Sequence, residues 1–140
     1  ASDQVKLTDF GSSALPDEIY VRTRENGGTV LYAAPEFSDC VSRKGKFEDL
    51  IRGDIYSLGV LLYQLLTGQL PHDTPAQVRR HAPFKQPSEV NGSVHPLMEQ
   101  VVQRCLQKSP TDRFQSVEER IVLLGLPGKN STTKTENRNT

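Results

Sequence analysis

The chain has 140 residues, a length that allows one domain with one hydrophobic core. Its 17 basic and 17 acidic residues balance, so no net charge directs it to nucleic acid or to an acidic membrane surface. It has no signal-peptide pattern and no apolar run of the roughly 20 residues that a membrane-spanning helix needs. Cys40 and Cys105 match no zinc or redox spacing and are typical of free thiols in a reducing compartment. We therefore expect a cytoplasmic protein without a nucleic-acid partner or a membrane segment.

The first third of the chain has little regular periodicity. Gln4–Thr8 alternates polar and apolar side chains, which predicts one short N-terminal strand. The tripeptide Asp9-Phe10-Gly11 follows directly. No period is sustained from residue 12 to residue 33, so we expect a long loop there, and loops of this length inside a compact domain are usually functional or mobile.

The most apolar stretch, Asp54–Thr67, predicts a buried central helix. Its aliphatic side chains recur at helical spacing on nearly every side. Asp54 supplies an acidic group at the predicted helix start, and Gly68 supplies a left-handed stop. Residues 47–52 are expected to form one short helical turn before it.

The C-terminal half predicts three further helices, over residues 76–81, 94–106 and 114–124, with an irregular segment at 83–92. Ser116 and Glu119 have the spacing of a capping box at the start of the last helix. Few core-forming side chains follow Gly125, so residues 125–140 are expected to be a disordered tail or linker.

Four short motifs occur in order along the chain: Asp9-Phe10-Gly11, Ala34-Pro35-Glu36, Asp54-x-x-Ser57-x-Gly59 and Pro110-x-x-Arg113. Together they resemble the second half of a serine/threonine protein kinase domain, from its activation segment onward. The resemblance covers residues 4–124 and implies a mainly α, partial kinase C-terminal lobe over residues 1–124, closer to bacterial-type kinases than to animal ones. An unrelated helical bundle would need four accidental matches in order, and we set it aside.

The resemblance assigns the nucleotide to the first motif. Asp9 would hold Mg²⁺ on the phosphates of ATP, since a hard dication prefers carboxylate oxygen. Thr8, Phe10 and Gly11 would complete this side of the nucleotide-binding site. The simpler interpretation of Asp9 is a turn aspartate without a ligand.

The segment from Gly28 to Glu36 resembles the substrate-docking loop of serine/threonine kinases. Gly28, Thr29 and Tyr32 would form it, with Thr29 supporting the catalytic aspartate, and it lacks the tryptophan typical of tyrosine kinases. The implied substrate is a protein with serine or threonine hydroxyls. Thr29 could instead only cap a turn. Thr23, in the preceding loop, is the expected phosphorylation site.

Other matched positions have implied structural roles. Glu36 and Arg113 match a buried salt bridge of the family, in which a planar guanidinium pairs with a carboxylate at two points. Asp54 matches a residue that braces the catalytic loop, or it only caps its own helix. Gly59 belongs to the same motif in the central helix.

The sequence contains no Gly-rich phosphate loop, no strand lysine and no His-Arg-Asp catalytic loop. We therefore expect the chain alone to be inactive and to be part of a serine/threonine kinase that uses ATP and Mg²⁺. The alternative is a non-catalytic, pseudokinase-type lobe that binds partner proteins, and the intact Asp9 disfavours it.

Overall fold

The computed structural model describes residues 4–6, 30–37, 47–119 and 125. Within these ranges the chain is mainly α-helical, as the sequence predicts. The α-helices are α1 (Phe47–Thr67), α2 (Pro75–Arg80), α3 (Pro87–Val90) and α4 (Pro96–Cys105), and 3-10 turns occur at Val30–Tyr32, Pro35–Phe37 and Pro110–Asp112.

The predicted N-terminal strand is not observed in the part of the chain that the structure describes. Residues 4–6 have no regular secondary structure, and Val5 is 96% exposed. The remaining two positions of the predicted strand lie outside the described residues. A strand is stable only when a neighbouring strand takes up its backbone hydrogen bonds, and alternation along the sequence does not supply that neighbour.

α1 is one continuous helix of 21 residues, and it is longer than the sequence predicts. The predicted separate turn is its first part, so the predicted helix start at Asp54 is wrong. Glu48 and Asp49 occupy the acidic positions of the first turn instead. Gly53, a weak helix former, lies under the Phe37 ring, where an added Cβ would be 2.4 Å from Phe37 Cε2. The helix therefore continues through Gly53, and packing against Phe37 offsets the low helix propensity of this glycine.

The C-terminal end of α1 lies where the sequence predicts it. Gly68 has a φ of 76°, and its N–H donates to the Gln64 carbonyl at 2.8 Å. The predicted burial on nearly every side is wrong within the described residues, because Leu61 is 43% exposed and Leu65 is 73% exposed. Periodicity indicates that side chains are apolar, but it does not show which segment covers them.

α4 packs against the buried face of α1 at very short range. An added Cβ at Gly59 would lie 2.5 Å from Cys105 Cβ, so the two helices approach this closely only because residue 59 has no side chain. Cys105 is buried, and Leu106, the C-cap of α4, is buried beside it. Leu97, which the sequence pattern assigns to the core face of this helix, is 39% exposed.

The segment that joins α2 to α3 is held at three points. His81 ends α2 in the left-handed region with a φ of 48°, and its Nε2 lies 2.8 Å from the C-cap carbonyl oxygen of α4. The buried His72 places Nε2 2.7 Å from the Ala82 carbonyl oxygen. The Tyr63 hydroxyl of α1 donates to the Lys85 carbonyl at 2.9 Å. Residues 81–86 are therefore tied to both long helices of the core.

Two further predicted boundaries are corrected. α3 is a single helical turn inside the segment predicted to be irregular, and it begins with a proline, whose missing N–H costs nothing at that position. Of the last predicted helix, residues 114–119 are described, and only residues 117–119 of these are helical, so the predicted start at the buried Phe114 is wrong. Ser116 Oγ accepts the Glu119 N–H at 3.2 Å, but the Glu119 carboxylate accepts the N–H of Gln115, so half of the predicted capping box is present.

Gly59→Ala is expected to destabilise the fold by about 1–3 kcal/mol, because the added methyl group overlaps Cys105 at the α1–α4 contact. Gly92→Ala is the matched control, since no atom lies within 4 Å of its added Cβ and its φ is outside the left-handed region. We expect this control to change stability by no more than about 0.5 kcal/mol. Urea titration followed by circular dichroism measures the stability of both variants. Equal unfolding midpoints for Gly59→Ala and the wild type would show that α4 moves away from the added methyl group without loss of stability.

The stability of the fold is expected to fall as the pH is lowered through the titration of His81. Burial lowers the pKa of His81, positive charge on His72, Lys108 and Arg113 lowers it further, and the hydrogen bond to the Leu106 carbonyl partly opposes this. His81 thus stays neutral in the folded chain while the unfolded chain binds a proton below about pH 6.5. Its stabilising contribution is complete above that pH and is lost as the pH falls toward the lower, folded-state pKa.

Urea midpoints between about pH 7.5 and about pH 5.5 test this dependence. His81→Asn is expected to flatten the decline, because asparagine tolerates the left-handed conformation and does not titrate. His95→Asn, at the exposed N-cap of α4, keeps a capping side chain and should reproduce the wild-type profile. If the unfolding midpoints of the wild type and of His81→Asn declined equally with falling pH, the assignment of the pH dependence to His81 would be wrong.

Candidate functional site

Residues 30–37 contain the described part of the predicted docking loop. They form two 3-10 turns; the first packs against α1 and α2, and the second packs against α2. Ala33, Ala34 and Pro35 between them are buried, so the segment is part of the core rather than a free loop. The other predicted positions of the nucleotide site and the activation loop lie outside the described residues: Thr8, Asp9, Phe10, Gly11, Thr23, Gly28 and Thr29.

A two-point ion pair fixes the C-terminal end of this segment. Arg113 Nη1 donates to Glu36 Oε1 at 2.6 Å, and Nη2 donates to Glu36 Oε2 at 2.9 Å. The Arg113 side chain is fully buried, and that of Glu36 is 18% exposed. The two residues are 77 positions apart, and they meet in the paired geometry that the sequence resemblance implies.

All five N–H groups of Arg113 have an acceptor. Besides the two that bind Glu36, Nε donates to the Gln107 carbonyl at 2.8 Å, Nη1 to the Arg52 carbonyl at 3.1 Å and Nη2 to the Lys108 carbonyl at 3.0 Å. A buried charge is tolerated only when it is paired and its donors are satisfied. Arg113 therefore connects the docking segment, the first half of α1 and the chain that follows α4.

Tyr56 provides an aromatic face for this ion pair. The Arg113 guanidinium carbon lies 4.8 Å from the centre of the Tyr56 ring. Burial raises the pKa of Tyr56 to about 12, while the charge of Arg113 opposes the rise and that of Glu36 adds to it. Its hydroxyl is buried without a hydrogen-bond partner among the described residues. Tyr56 therefore stays neutral at any physiological pH and packs against the cation through its ring.

A second contact fixes the N-terminal side of the docking segment. The Tyr32 hydroxyl lies 2.7 Å from Gln64 Oε1, to which it donates from the segment to α1. Sequence analysis assigns Tyr32 to the loop but does not single out Gln64. The only signal for it is a polar side chain within the apolar run of α1, and such a residue is ordinarily taken as solvent-facing.

Asp54 lies in the middle of α1 and is exposed, so it cannot cap this helix and the capping interpretation is wrong. On the helix surface it follows the same face as Leu58, Leu61 and Leu65, which are four, seven and eleven positions further on. The face is therefore apolar with a carboxylate at one end. Gly59, in the same motif, lies at the close contact with α4.

The described residues include no group of three or more histidine, cysteine or carboxylate side chains that could hold a metal ion. None of the helices described here is long and apolar enough to cross a membrane.

Comparison with known proteins agrees with this arrangement. The sequence profile of the protein kinase domain matches residues 1–121. The chain belongs to the protein kinase family. It is 40% identical over 120 residues to serine/threonine-protein kinase Pkn1 of Myxococcus xanthus, 34% over 125 residues to probable serine/threonine-protein kinase PknB of Lactococcus lactis, and 30% over 128 residues to a probable serine/threonine-protein kinase of Clostridium acetobutylicum.

These alignments cover most of the chain but little of each relative. They include 81%, 85% and 84% of this kinase chain, and 16%, 19% and 18% of the three relatives. The chain therefore spans less than a fifth of the length of these kinases. The family generally uses ATP and Mg²⁺ and acts on protein substrates.

Glu36→Ala or Arg113→Ala is expected to destabilise this kinase chain by roughly 3–5 kcal/mol, because each leaves the other charge of a buried pair without its partner. Asp49→Ala is the control: it breaks a pair with Arg52 in which the Asp49 side chain is 42% exposed, and it should cost no more than about 1 kcal/mol. Urea titration measures all three variants. Losses below about 1 kcal/mol for Glu36→Ala and Arg113→Ala would mean that the buried pair does not stabilise the fold.

Proposed function

We propose that the protein in its full-length form is a serine/threonine protein kinase, which transfers the γ-phosphate of ATP to serine or threonine hydroxyls of a protein substrate. The observation that supports this proposal is the anchoring of the docking segment at two points, by Tyr32 on Gln64 and by Glu36 on Arg113. Transfer requires the acceptor hydroxyl to be held in a narrow range of geometry, and a rigidly held docking segment serves that purpose.

Asp9 is the residue of this chain that we propose as a ligand of Mg²⁺. Its carboxylate is the oxygen donor that a hard dication prefers, so its chemistry fits the ion. Mg²⁺ held by Asp9 would neutralise the negative charge that develops on the phosphate during transfer. Thr8, Phe10 and Gly11 are proposed to line the nucleotide on the same side.

The docking loop is proposed to consist of Gly28, Thr29 and Tyr32, and it accepts the substrate residue after the target hydroxyl. Thr29 supports the catalytic aspartate, which this sequence does not contain. A phosphate on Thr23 would add about two negative charges at pH 7, and pairing with arginine would order the loop. We further propose that residues 1–124 form the kinase part, that residues 125–140 form a linker, and that the protein acts in the cytoplasm.

The exposed face of α1 is consistent with this role. Leu61 and Leu65 expose apolar surface beside the carboxylate of Asp54, and exposed apolar surface of this kind marks an interaction site. We propose that the catalytic loop of the complete domain packs here and that Asp54 braces its backbone.

Measurement of phosphate transfer from radiolabelled ATP by the full-length protein tests the proposal. We expect phosphoserine and phosphothreonine, and no phosphotyrosine, in the protein substrate. Asp9→Asn should lower kcat at least about 100-fold, because it removes a metal ligand while keeping the size of the side chain. Asp73→Asn, an exposed residue in the turn before α2, is the matched control and should keep wild-type activity. A wild-type protein that binds ATP and transfers no phosphate would instead identify a pseudokinase that binds partner proteins.

A further inference from the structure

A cleft of about 390 Å³ lies between residues 81–86 and the C-terminal end of α4, and it is called the α2–α4 cleft below. No residue of the described part of the docking segment lines it. Its lining combines apolar side chains with carboxamides, namely Pro83, Phe84 and Leu106 with Gln86, Gln103 and Gln107. A site of this composition accepts an apolar side chain and hydrogen-bonds a polar backbone.

The wall formed by residues 81–86 is held in place. His81 contacts the C-cap carbonyl of α4, His72 contacts the Ala82 carbonyl, and Tyr63 binds the Lys85 carbonyl. The Phe84 ring packs edge-on against Tyr63, with 5.9 Å between ring centres. The α2–α4 cleft is therefore formed before any ligand arrives, which lowers the entropic cost of binding.

Four exposed basic residues adjoin the lining of the α2–α4 cleft along the chain. Arg79 and Arg80 directly precede the lining residue His81, Lys85 lies between two lining residues, and Lys108 follows another; all four are exposed. None of the four takes part in the ion pairs found among the described residues.

A carboxylate, that of Glu89, also lies beside the α2–α4 cleft. Its Oε2 accepts the Gln86 N–H at 2.5 Å, so it caps α3 at the edge of the cleft. It is outnumbered by the four exposed cations. Burial is the main cause of the lowered pKa of His81, and of the four exposed cations Lys108 lowers that pKa further through its positive charge.

One polar atom in the lining, Gln86 Oε1, is buried and accepts no hydrogen bond from the described residues. A buried acceptor without a donor is unfavourable, and the backbone N–H of an extended peptide would satisfy it.

We propose that the α2–α4 cleft binds an extended, acidic segment of the protein substrate at a distance from the hydroxyl that is phosphorylated. The apolar floor takes one side chain, the carboxamides bind the peptide backbone, and the exposed arginines and lysines pair with its carboxylates. α2, which ends directly before the wall of the cleft, also packs against both 3-10 turns of the docking segment. The assignment of the ligand to a kinase substrate rests on the proposed function.

Binding of a fluorescein-labelled decapeptide, with four glutamates around two leucines, to the full-length protein tests this by fluorescence anisotropy. The same peptide with glutamine in place of glutamate is expected to bind at least about tenfold more weakly, a difference of about 1.4 kcal/mol. Arg79→Glu combined with Arg80→Glu should weaken binding of the acidic peptide by about the same factor, and raising the salt concentration to about 0.5 M should reduce the difference.

Matched single variants locate the site. Lys108→Glu reverses a charge beside the α2–α4 cleft and should weaken binding, whereas Lys6→Glu reverses an exposed charge that is not part of it and should not. Gln103→Trp fills the cleft and should weaken both peptides. The proposal would be overturned if the wild-type protein bound the two peptides with equal affinity. It would also be overturned if Lys108→Glu and Lys6→Glu lost affinity for the acidic peptide to the same extent. A single-stranded oligonucleotide serves as a competitor. If it displaced the labelled peptide at a lower concentration than the unlabelled peptide does, the proposal would be overturned and the cleft would be a nucleic-acid site.

Kinetics separate this proposal from the proposed function. In the Arg79→Glu and Arg80→Glu double variant, KM should rise about tenfold for a substrate that carries the acidic segment, while kcat stays unchanged. A short substrate without that segment should keep its KM. If no substrate is phosphorylated by any form of the protein, the kinase assignment fails and the anisotropy measurement still decides whether the cleft binds acidic peptides.

Discussion

Arg113 is buried with all five of its N–H groups occupied, and three separate parts of the chain meet at its guanidinium. It holds the docking segment through Glu36, the first half of α1 through the Arg52 carbonyl, and the chain after α4 through two carbonyls. Removal of water from a charge is costly, so this arrangement is stable only if every partner is in place. The ion pair thus makes the position of the docking segment depend on the packing of the whole helical core.

Two glycines of α1 allow neighbouring segments to pack closely against this helix. Gly53 and Gly59 lie six positions apart on α1, one under the Phe37 ring and the other under Cys105. At each position a β-carbon would overlap the neighbour, so these glycines set how closely the docking segment and α4 approach α1. Both cost helix propensity, and the close packing that they permit offsets this cost.

Different sides of α1 carry different contacts. Near its centre and C-terminal half, Gln64 binds Tyr32 and Tyr63 binds the Lys85 carbonyl, so the docking segment and the wall of the α2–α4 cleft share one support. A substrate that bound both would contact two surfaces fixed to the same rigid helix. On a different side of the helix, Leu61 and Leu65 are exposed on the same face as Asp54.

The sequence by itself determined the family, the mainly helical class and the left-handed end of α1 at Gly68, because motifs and glycine stops are local patterns that the chain carries wherever it folds. The pairing of Glu36 with Arg113, which are 77 positions apart, was predicted only through the resemblance to the family. It did not determine that α1 runs through Gly53 and Asp54, since the packing of Phe37 overrides the local stop. Nor did it determine that Leu65 is exposed or that Gln64 accepts from Tyr32. His72 and His81 are scattered in the sequence, yet their ring centres lie 5.7 Å apart in the structure. Burial, long-range hydrogen bonds and the surroundings of a cleft depend on which distant segments meet, and only the tertiary structure decides that.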